Sequence, residues 1–185
     1  VQKTLNYYVV TTSIYIFKIN SNDILIIEEA GEITVDVSIV PTLTEGAVGK
    51  RPVAIMVNNI KPSLPQYGVS EADIIFEVPV EGGSTRFMAM YGDYTQVPKV
   101  CSVRSCRMYF PEFSEGFDAV YVNWGMADAI RPYVNSLNLT HYEGAYNTGK
   151  LFARDEARRA NGMALEHTGY FDGTGLPEAM EKAGD

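Results

Sequence analysis

Two apolar runs that meet at a pair of glycines are the feature that most limits what this chain can fold into. The runs cover residues 73–80 and 86–92, and Gly82-Gly83 lies between them. Glycine adopts the positive φ angles of tight turns at no steric cost, so two apolar runs around Gly-Gly predict a β-hairpin. The neighbouring segments can be placed relative to this hairpin.

A third short apolar run follows the hairpin and ends in arginines. The segment 100–107 reads Val-Cys-Ser-Val-Arg-Ser-Cys-Arg, and Pro111 comes four residues later. Proline suits the first turn of a helix better than its interior, so a helix is predicted to begin just after Arg107. Cations at a helix N-terminus oppose the macrodipole by roughly 0.3–1 kcal/mol each at exposed sites. We therefore expect a negative partner near Arg104 and Arg107, either a carboxylate of this chain or a bound anion.

The whole chain predicts an α/β fold, a mixed sheet with flanking helices, preceded by a short β-rich segment. Residues 1–41 contain three predicted strands and no chemistry, and residues 42–50 form a predicted linker. In the remainder, 51–185, predicted strands alternate with predicted helices, which is typical of a mixed α/β sheet. The strands are expected near 51–59, 74–79, 86–92, 117–125 and 151–155, and the helices near 108–116, 126–137, 156–160 and 177–183.

Asn58 and Asn59 close the first strand of this remainder and have two interpretations. They can be turn formers or site residues, and the turn is favoured because asparagine commonly ends strands in this way. Asn58 is nevertheless retained as a candidate ligand-binding residue.

The charge and cysteine patterns exclude several classes of function. The net charge is −8, which argues against nonspecific nucleic-acid binding, and all eight arginines lie at or after Arg51. Cys101 and Cys106 lack zinc-like spacing with His141 or His167, so neither a metal nor a cofactor is predicted. The two thiols have the separation to close a small loop, but packing as small hydrophobic groups is favoured.

Five ordered motifs resemble the N-terminal domain of the YerB-type lipoproteins of Gram-positive bacteria, a family whose function is not established. The resemblance runs from about Leu43 to the end, which assigns residues 51–185 to such a domain. It implies an extracytoplasmic protein on the outer face of the cell membrane. The family's lipobox and smaller second domain are not found in the 185 residues, so contact with a membrane is expected only through a lipid anchor that this chain lacks. The motifs are Arg51–Asn59, Ala72–Glu77, Val80–Phe87, Val103–Arg107 and Phe117–Val122.

The chain also departs from this family at two places. The family usually reads Gly-Pro-Val-Arg-Ser-Ala-Arg where this chain has Cys-Ser-Val-Arg-Ser-Cys-Arg at 101–107, and both arginines remain. A Pro-His-Asn triplet further on is replaced by Asn-Gly-Met at 161–163.

The arginines near the hairpin predict a site for an anion. A guanidinium beside apolar runs needs a partner, and its planar fork suits carboxylate or phosphate best. The expected ligand is an anionic small molecule, a cell-envelope polymer or another envelope protein. The alternative is an internal network in which Glu77 and Glu81 pair with the arginines and hold the hairpin to the helix. The candidate ligand-binding residues are Arg86, Arg104, Ser105, Arg107, Arg154 and Asn58.

A second hypothesis makes the domain a hydrolase or transferase that acts on an anionic envelope polymer. Glu77 and Glu81 are then the catalytic carboxylates, about 5–9.5 Å apart across an open cleft as in glycoside hydrolysis. Ser105 lacks the Gly-x-Ser-x-Gly elbow of a serine nucleophile. Carboxylates held in arginine forks favour binding instead, and a binding domain is the preferred hypothesis.

Overall fold

The structure is a computed structural model that describes residues 16–19, 23–26, 46–146 and 151–184. Within these ranges the chain forms a mixed seven-stranded sheet, a three-stranded sheet and four α-helices, which confirms the predicted α/β class. None of the helices in the described part is long and apolar enough to span a membrane.

The large sheet has the strand order β2-β1-β4-β5-β3-β7-β8. Strand β3 runs parallel to β7, and β7 runs parallel to β8, whereas the other neighbours are antiparallel. Strand β3 therefore lies inside the sheet between β5 and β7. The strands are β1 (Ile16–Ile19), β2 (Asp23–Ile26), β3 (Val53–Asn59), β4 (Ile74–Pro79), β5 (Thr85–Tyr91), β7 (Val120–Asn123) and β8 (His141–Glu143).

The predicted hairpin is formed by β4 and β5. The two strands are antiparallel, and their last pair joins Pro79 to Thr85. A short 3-10 turn over Glu81–Gly83 connects them, and Gly82 and Gly83 have φ angles of 71° and 70°. Both glycines thus occupy the left-handed region that favours glycine, which confirms the interpretation of the Gly-Gly pair.

The small sheet consists of β6 (Lys99–Cys101), β9 (Phe152–Arg154) and β10 (Gly169–Asp172) in the order β6-β10-β9, all antiparallel. Strand β9 was predicted near 151–155, and β6 lies at the start of the third apolar run, whereas β10 was not predicted as a strand. The sheet joins the start of this run to segments about 50–70 residues later in the chain.

The helices are α1 (Tyr109–Gly116), α2 (Arg131–Val134), α3 (Glu156–Ala160) and α4 (Leu176–Ala183). Helix α1 begins directly after Arg107 and Met108, as predicted. The helix expected over 126–137 is only four residues long, because Pro132 cannot continue an existing helix and instead occupies the first turn of α2.

The core lies on both faces of the large sheet. Val53, Ile55 and Val57 pack in one apolar cluster, while Ala54 and Met56 pack in the other. The alternation along β3 agrees with a strand covered on both sides. Asn58 and Asn59 continue this strand and pair with Arg86 and Thr85 of β5, so the interpretation of the asparagines as turn formers is wrong.

The β-rich N-terminal segment lies mostly outside the described residues. Of its three predicted strands, β1 and β2 are described, and β1 pairs antiparallel with β4 at the edge of the large sheet. In the predicted linker, residues 46–50 are described, and Lys50 Nζ lies 2.5 Å from Asp93 Oδ2. The division into 1–41, 42–50 and 51–185 stays a prediction.

Candidate functional site

Two arginines meet at Ser105, in the loop between β6 and α1. Arg86 is the second residue of β5, and its Nη1 donates to the carbonyl oxygen of Ser105 and lies 3.3 Å from Ser105 Oγ. Arg107 Nη1 donates to the same hydroxyl oxygen at 3.1 Å. The hydroxyl of Ser105 therefore lies between guanidinium groups from two different parts of the fold.

Arg107 also holds the carboxylate of Glu81 in a bidentate fork. Its Nε and Nη2 lie 2.6 and 2.7 Å from the two carboxylate oxygens. The hydrogen bond from Arg107 lowers the pKa of Glu81 to about 2, and the same bond raises the pKa of Arg107. Glu81 is thus ionised across the physiological range and joins the hairpin turn to the segment before α1.

Arg86 differs from Arg107 because it has no carboxylate partner among the described residues. It is 5 % exposed, and its Nε is buried without a hydrogen-bond partner in the described part of the chain. Burial lowers the pKa of Arg86 to about 10, with further contributions from the nearby charges of Arg107 and Arg104. A buried cation therefore lies beside two others, a costly arrangement unless a partner offsets it.

Arg104 and Arg154 meet at a turn over Leu165–His167. Arg104 Nη2 lies 3.0 Å from a carboxylate oxygen of Glu166, and Arg154 Nη1 donates to the carbonyl of Leu165 at 2.6 Å. Burial and the charge of Arg104 lower the pKa of Arg154. The Nε of Arg104 is also buried and lacks a partner within the described ranges.

Arg154 stacks on Trp124, and glycines make room for the indole. The guanidinium carbon lies 4.0 Å from the centre of the ring. A Cβ added at Gly144 or Gly169 would come within 2.8 or 2.7 Å of the indole, so both positions need a residue without a side chain. The stacking fixes Arg154 beside Arg104.

Asn58 contacts the same turn through a hydrogen bond to His167. Its Nδ2 lies 3.1 Å from Nδ1 of His167, which is 4 % exposed. An amide nitrogen can only donate, so this pairing leaves the imidazole neutral with its proton on Nε2. Burial lowers the pKa of His167, which favours the same neutral form.

Glu77 is bound to neutral groups rather than to an arginine. Its Oε1 accepts from Asn59 Nδ2 at 2.8 Å and from Thr85 Oγ1 at 2.5 Å. The two candidate catalytic carboxylates thus have different environments, since Glu81 lies in an arginine fork and Glu77 in a cluster of polar side chains. Neither arrangement is a free carboxylate pair.

Two residues outside the candidate set prove important for the cluster. Glu166 is the carboxylate partner of Arg104 but comes 62 residues later, so no local pattern links them. Arg158 is 7 % exposed and donates to the carbonyls of Ser63, Pro65 and His167, which holds the turn to the loop before β4. The only signal for either residue was a charge beside an apolar segment.

The two cysteines lie in the interior of the fold. Cys101 and Cys106 are both buried free thiols, which confirms the packing interpretation, and burial raises the pKa of Cys106 to about 11. No group of three or more His, Cys, Asp or Glu side chains in the described part of the chain is placed to hold a metal ion.

The arginine cluster thus comprises Arg86 and Arg107, which contact Ser105, together with Arg104 and its neighbour Arg154. Two of the four guanidinium groups are paired with carboxylates, Arg107 with Glu81 and Arg104 with Glu166. The cluster is therefore strongly positive in a chain whose net charge is −8. Fold and cluster together define an α/β domain with a positively charged surface at one end of the hairpin.

Comparisons with known proteins identify the family of this domain. The family model described as "Protein of unknown function (DUF3048) N-terminal domain" matches residues 40–184, and the chain belongs to this family. The match confirms the resemblance inferred from the five ordered motifs.

A curated sequence and a crystal structure, both of YerB from Bacillus subtilis, are similar to the chain. The chain is 35 % identical over 136 residues to "Putative lipoprotein YerB" of Bacillus subtilis (strain 168), covering 73 % of this chain and 39 % of the relative. It also matches a crystal structure of the YerB protein from Bacillus subtilis with a TM-score of 0.67 and 31 % identity, over 77 % of this chain and 47 % of that chain. The chain thus spans less than half the length of these relatives.

Proposed function

We propose that this domain binds an anionic group through Arg86, Arg104, Ser105 and Arg107. The observation that carries the proposal is Arg86, a buried guanidinium without a carboxylate partner in the described residues. Desolvation of a charge costs several kcal/mol unless a partner offsets it. A bound anion would offset this cost for Arg86 and for the neighbouring cations together.

The donors suit an anion with oxygen atoms. Guanidinium groups bind carboxylate and phosphate bidentately, and a lysine in their place would supply charge without the fork. Arg154 and Asn58 take part indirectly, because both hold the Leu165–His167 turn against which Arg104 lies. We therefore assign them a supporting role.

The proposed setting is the outer face of the cell membrane. The name of the Bacillus subtilis relative describes a lipoprotein, and this domain would accordingly be held at the membrane by a lipid anchor. Its ligand is then an anionic small molecule, a cell-envelope polymer or another envelope protein. Nucleic acid is not expected, given the net charge of −8.

The carboxylates favour binding over hydrolysis or group transfer. A general acid needs a pKa near the working pH, whereas the fork of Arg107 lowers the pKa of Glu81 to about 2. Glu77 accepts two hydrogen bonds from Asn59 and Thr85, which leaves the proposed pair without a matched acid and base.

The substitution Arg107→Lys tests the proposal, because it keeps the charge and removes the fork that now holds Glu81. We expect it to weaken the binding of phosphate or acetate about tenfold, or about 1.4 kcal/mol, and to change thermal stability little. Binding is measured by isothermal titration calorimetry and stability by melting curves with and without the anion. Arg159→Lys is the matched control, since Arg159 is exposed and its carboxylate partner within the described residues is Glu156 on α3.

A structural role for the arginines predicts the opposite pattern. If Arg107→Lys lowers the melting temperature strongly while no anion raises that of the wild type, the arginines hold the fold together and the proposed site does not exist. An equal loss of binding in Arg159→Lys would show that the effect is not specific to the arginine cluster.

A further inference from the structure

The donors around Ser105 indicate the chemical class of the anion, on the basis of the proposed function. Arg86 Nη1 and Arg107 Nη1 lie 3.3 and 3.1 Å from Ser105 Oγ, so two guanidinium groups from different elements converge on one oxygen atom. Because the hydroxyl oxygen accepts from both, its own proton is left to donate to a ligand. The site thus offers donors from three residues and from different directions.

Glu81 occupies the remaining donors of Arg107 in an arrangement that is easily opened. Its side chain is 69 % exposed, and exposed ion pairs contribute little to stability. It lies on the turn with Gly82 and Gly83, where an added Cβ would meet no atom within 4 Å, so the turn is not packed against other elements at these positions. An anion of higher charge can take the place of this carboxylate.

We infer that the ligand carries a phosphoryl dianion, and that this dianion replaces Glu81 in the fork of Arg107. With Glu81 turned to solvent, Arg86 and Arg107 have no carboxylate partner among the described residues, while Arg104 keeps Glu166. One dianion balances these two positive charges, whereas a carboxylate or a phosphodiester has a single charge and leaves one of them unbalanced.

The shape of the group supports the same class. A phosphate monoester presents three acceptor oxygens in a tetrahedral arrangement, and it carries close to two charges above its second pKa of about 6. Arg86, Arg107 and the Ser105 hydroxyl can each meet a different oxygen of such a group. A carboxylate has two oxygens in one plane, which suits a single fork. Glu81 is held by Arg107 in that way.

Four small probes test the class of the anion by calorimetry at pH 8. They are inorganic phosphate, methyl phosphate as a monoester dianion, dimethyl phosphate as a diester monoanion, and acetate. The wild type is expected to bind methyl phosphate and inorganic phosphate at least about tenfold more tightly than dimethyl phosphate or acetate. The small size of all four probes keeps contacts outside the arginine cluster to a minimum.

Two variants test the replacement of Glu81. Glu81→Gln removes the competing carboxylate, and methyl phosphate should bind about two- to fivefold more tightly, as expected for removal of an exposed ion pair. Glu77→Gln is the matched control: it removes one negative charge from the same hairpin, keeps an acceptor for Asn59 and Thr85, and leaves the fork of Arg107 unchanged. Its affinity should equal that of the wild type.

The outcomes separate this inference from the proposed function. If acetate or dimethyl phosphate binds as tightly as methyl phosphate, or if Glu81→Gln binds no more tightly than Glu77→Gln, the inference is overturned while anion binding itself stands. If none of the four probes binds to the wild type or to Glu81→Gln, the proposed function fails and the inference fails with it.

Discussion

Replacement of Arg86 by methionine separates a binding role from a structural one. Methionine is flexible and matches the aliphatic part of arginine in length, and Arg86 is 5 % exposed, so the substitution removes the charged group while keeping the packing of the stem. Burial and the neighbouring arginines lower the pKa of Arg86 from its ordinary value to about 10. Because one pKa unit corresponds to about 1.4 kcal/mol, the charge costs the folded state about 3 kcal/mol.

The lost hydrogen bonds of Arg86 act in the opposite direction. Nη1 donates to the carbonyl and the hydroxyl of Ser105, and bonds from a charged donor contribute about 1.5–3 kcal/mol each. Ser105 is half-buried, so water replaces part of this contribution. The two effects nearly cancel, and Arg86→Met should have a free energy of unfolding within about 1 kcal/mol of the wild type. A buried arginine that serves only in an ion pair would cost about 3–5 kcal/mol on removal.

The assay is urea denaturation followed by the fluorescence of Trp124, the only tryptophan in the chain. Phosphate should raise the free energy of unfolding of the wild type and leave that of Arg86→Met unchanged, while the exposed control Arg159→Met should respond like the wild type. Below about pH 10, Arg86 is charged in the folded and the unfolded state, and the burial of its charge lowers the free energy of unfolding by the full amount. This cost decreases as the pH rises above this value towards the ordinary pKa of arginine, because only the unfolded state still binds the proton there.

One combination of results would contradict a binding role for Arg86. A loss of 3 kcal/mol or more in Arg86→Met without phosphate, together with no effect of phosphate on the wild type, would mean that the guanidinium is a structural element whose partners fully offset its burial.

Two further predictions concern packing and pH. Gly173→Ala should lower the free energy of unfolding by about 1–3 kcal/mol in urea denaturation, because its Cβ would lie 2.2 Å from the carbonyl oxygen of Val97. The control Gly116→Ala, whose Cβ would have no atom within 4 Å, should leave stability unchanged or slightly higher. Equal losses in both variants would contradict the close packing at Gly173. The ratio of phosphate affinities between Glu81→Gln and the wild type should stay constant from pH 5 to pH 8, because the pKa of Glu81 is about 2 and its carboxylate stays ionised in this range. If calorimetry finds that this ratio falls towards one near pH 5, Glu81 takes up its proton at a pH far above this pKa.

Local patterns were sufficient for the elements that frame the arginine cluster. The Gly82-Gly83 turn, the buried strand β3 and the start of α1 each depend on neighbouring residues, through glycine φ angles, apolar runs and proline position. Gly184 ends α4 with a φ of 78°, again a local property.

Contacts between distant segments were not predictable in the same way. Strand β10 pairs with both β6 and β9. The sequence around its apolar residues, such as Phe171, contains no pattern that would assign them to a separate small sheet. Asn58 and Asn59 were assigned to a turn because propensity favours it, but their pairing with β5 overrides that preference. The partnership of Arg104 with Glu166 depends on the Leu165–His167 turn, whose position is set by Arg158 and Asn58.

The cluster combines one cation that cannot move with one that can. Arg86 lies in the interior of the sheet, between Asn58 of β3 and Val78 of β4, and it shares its face with the buried Met88. A shift in register that exposed Arg86 would also move the apolar residues of β5 to the wrong face, so the sheet holds this charge in place. Arg107 lies in a loop, and its partner Glu81 lies on an exposed turn, so their ion pair can open without loss of core packing. A fixed, unbalanced charge beside an exchangeable carboxylate is an arrangement in which an incoming anion gains more than it displaces, which is why we place the ligand between Arg86 and Arg107.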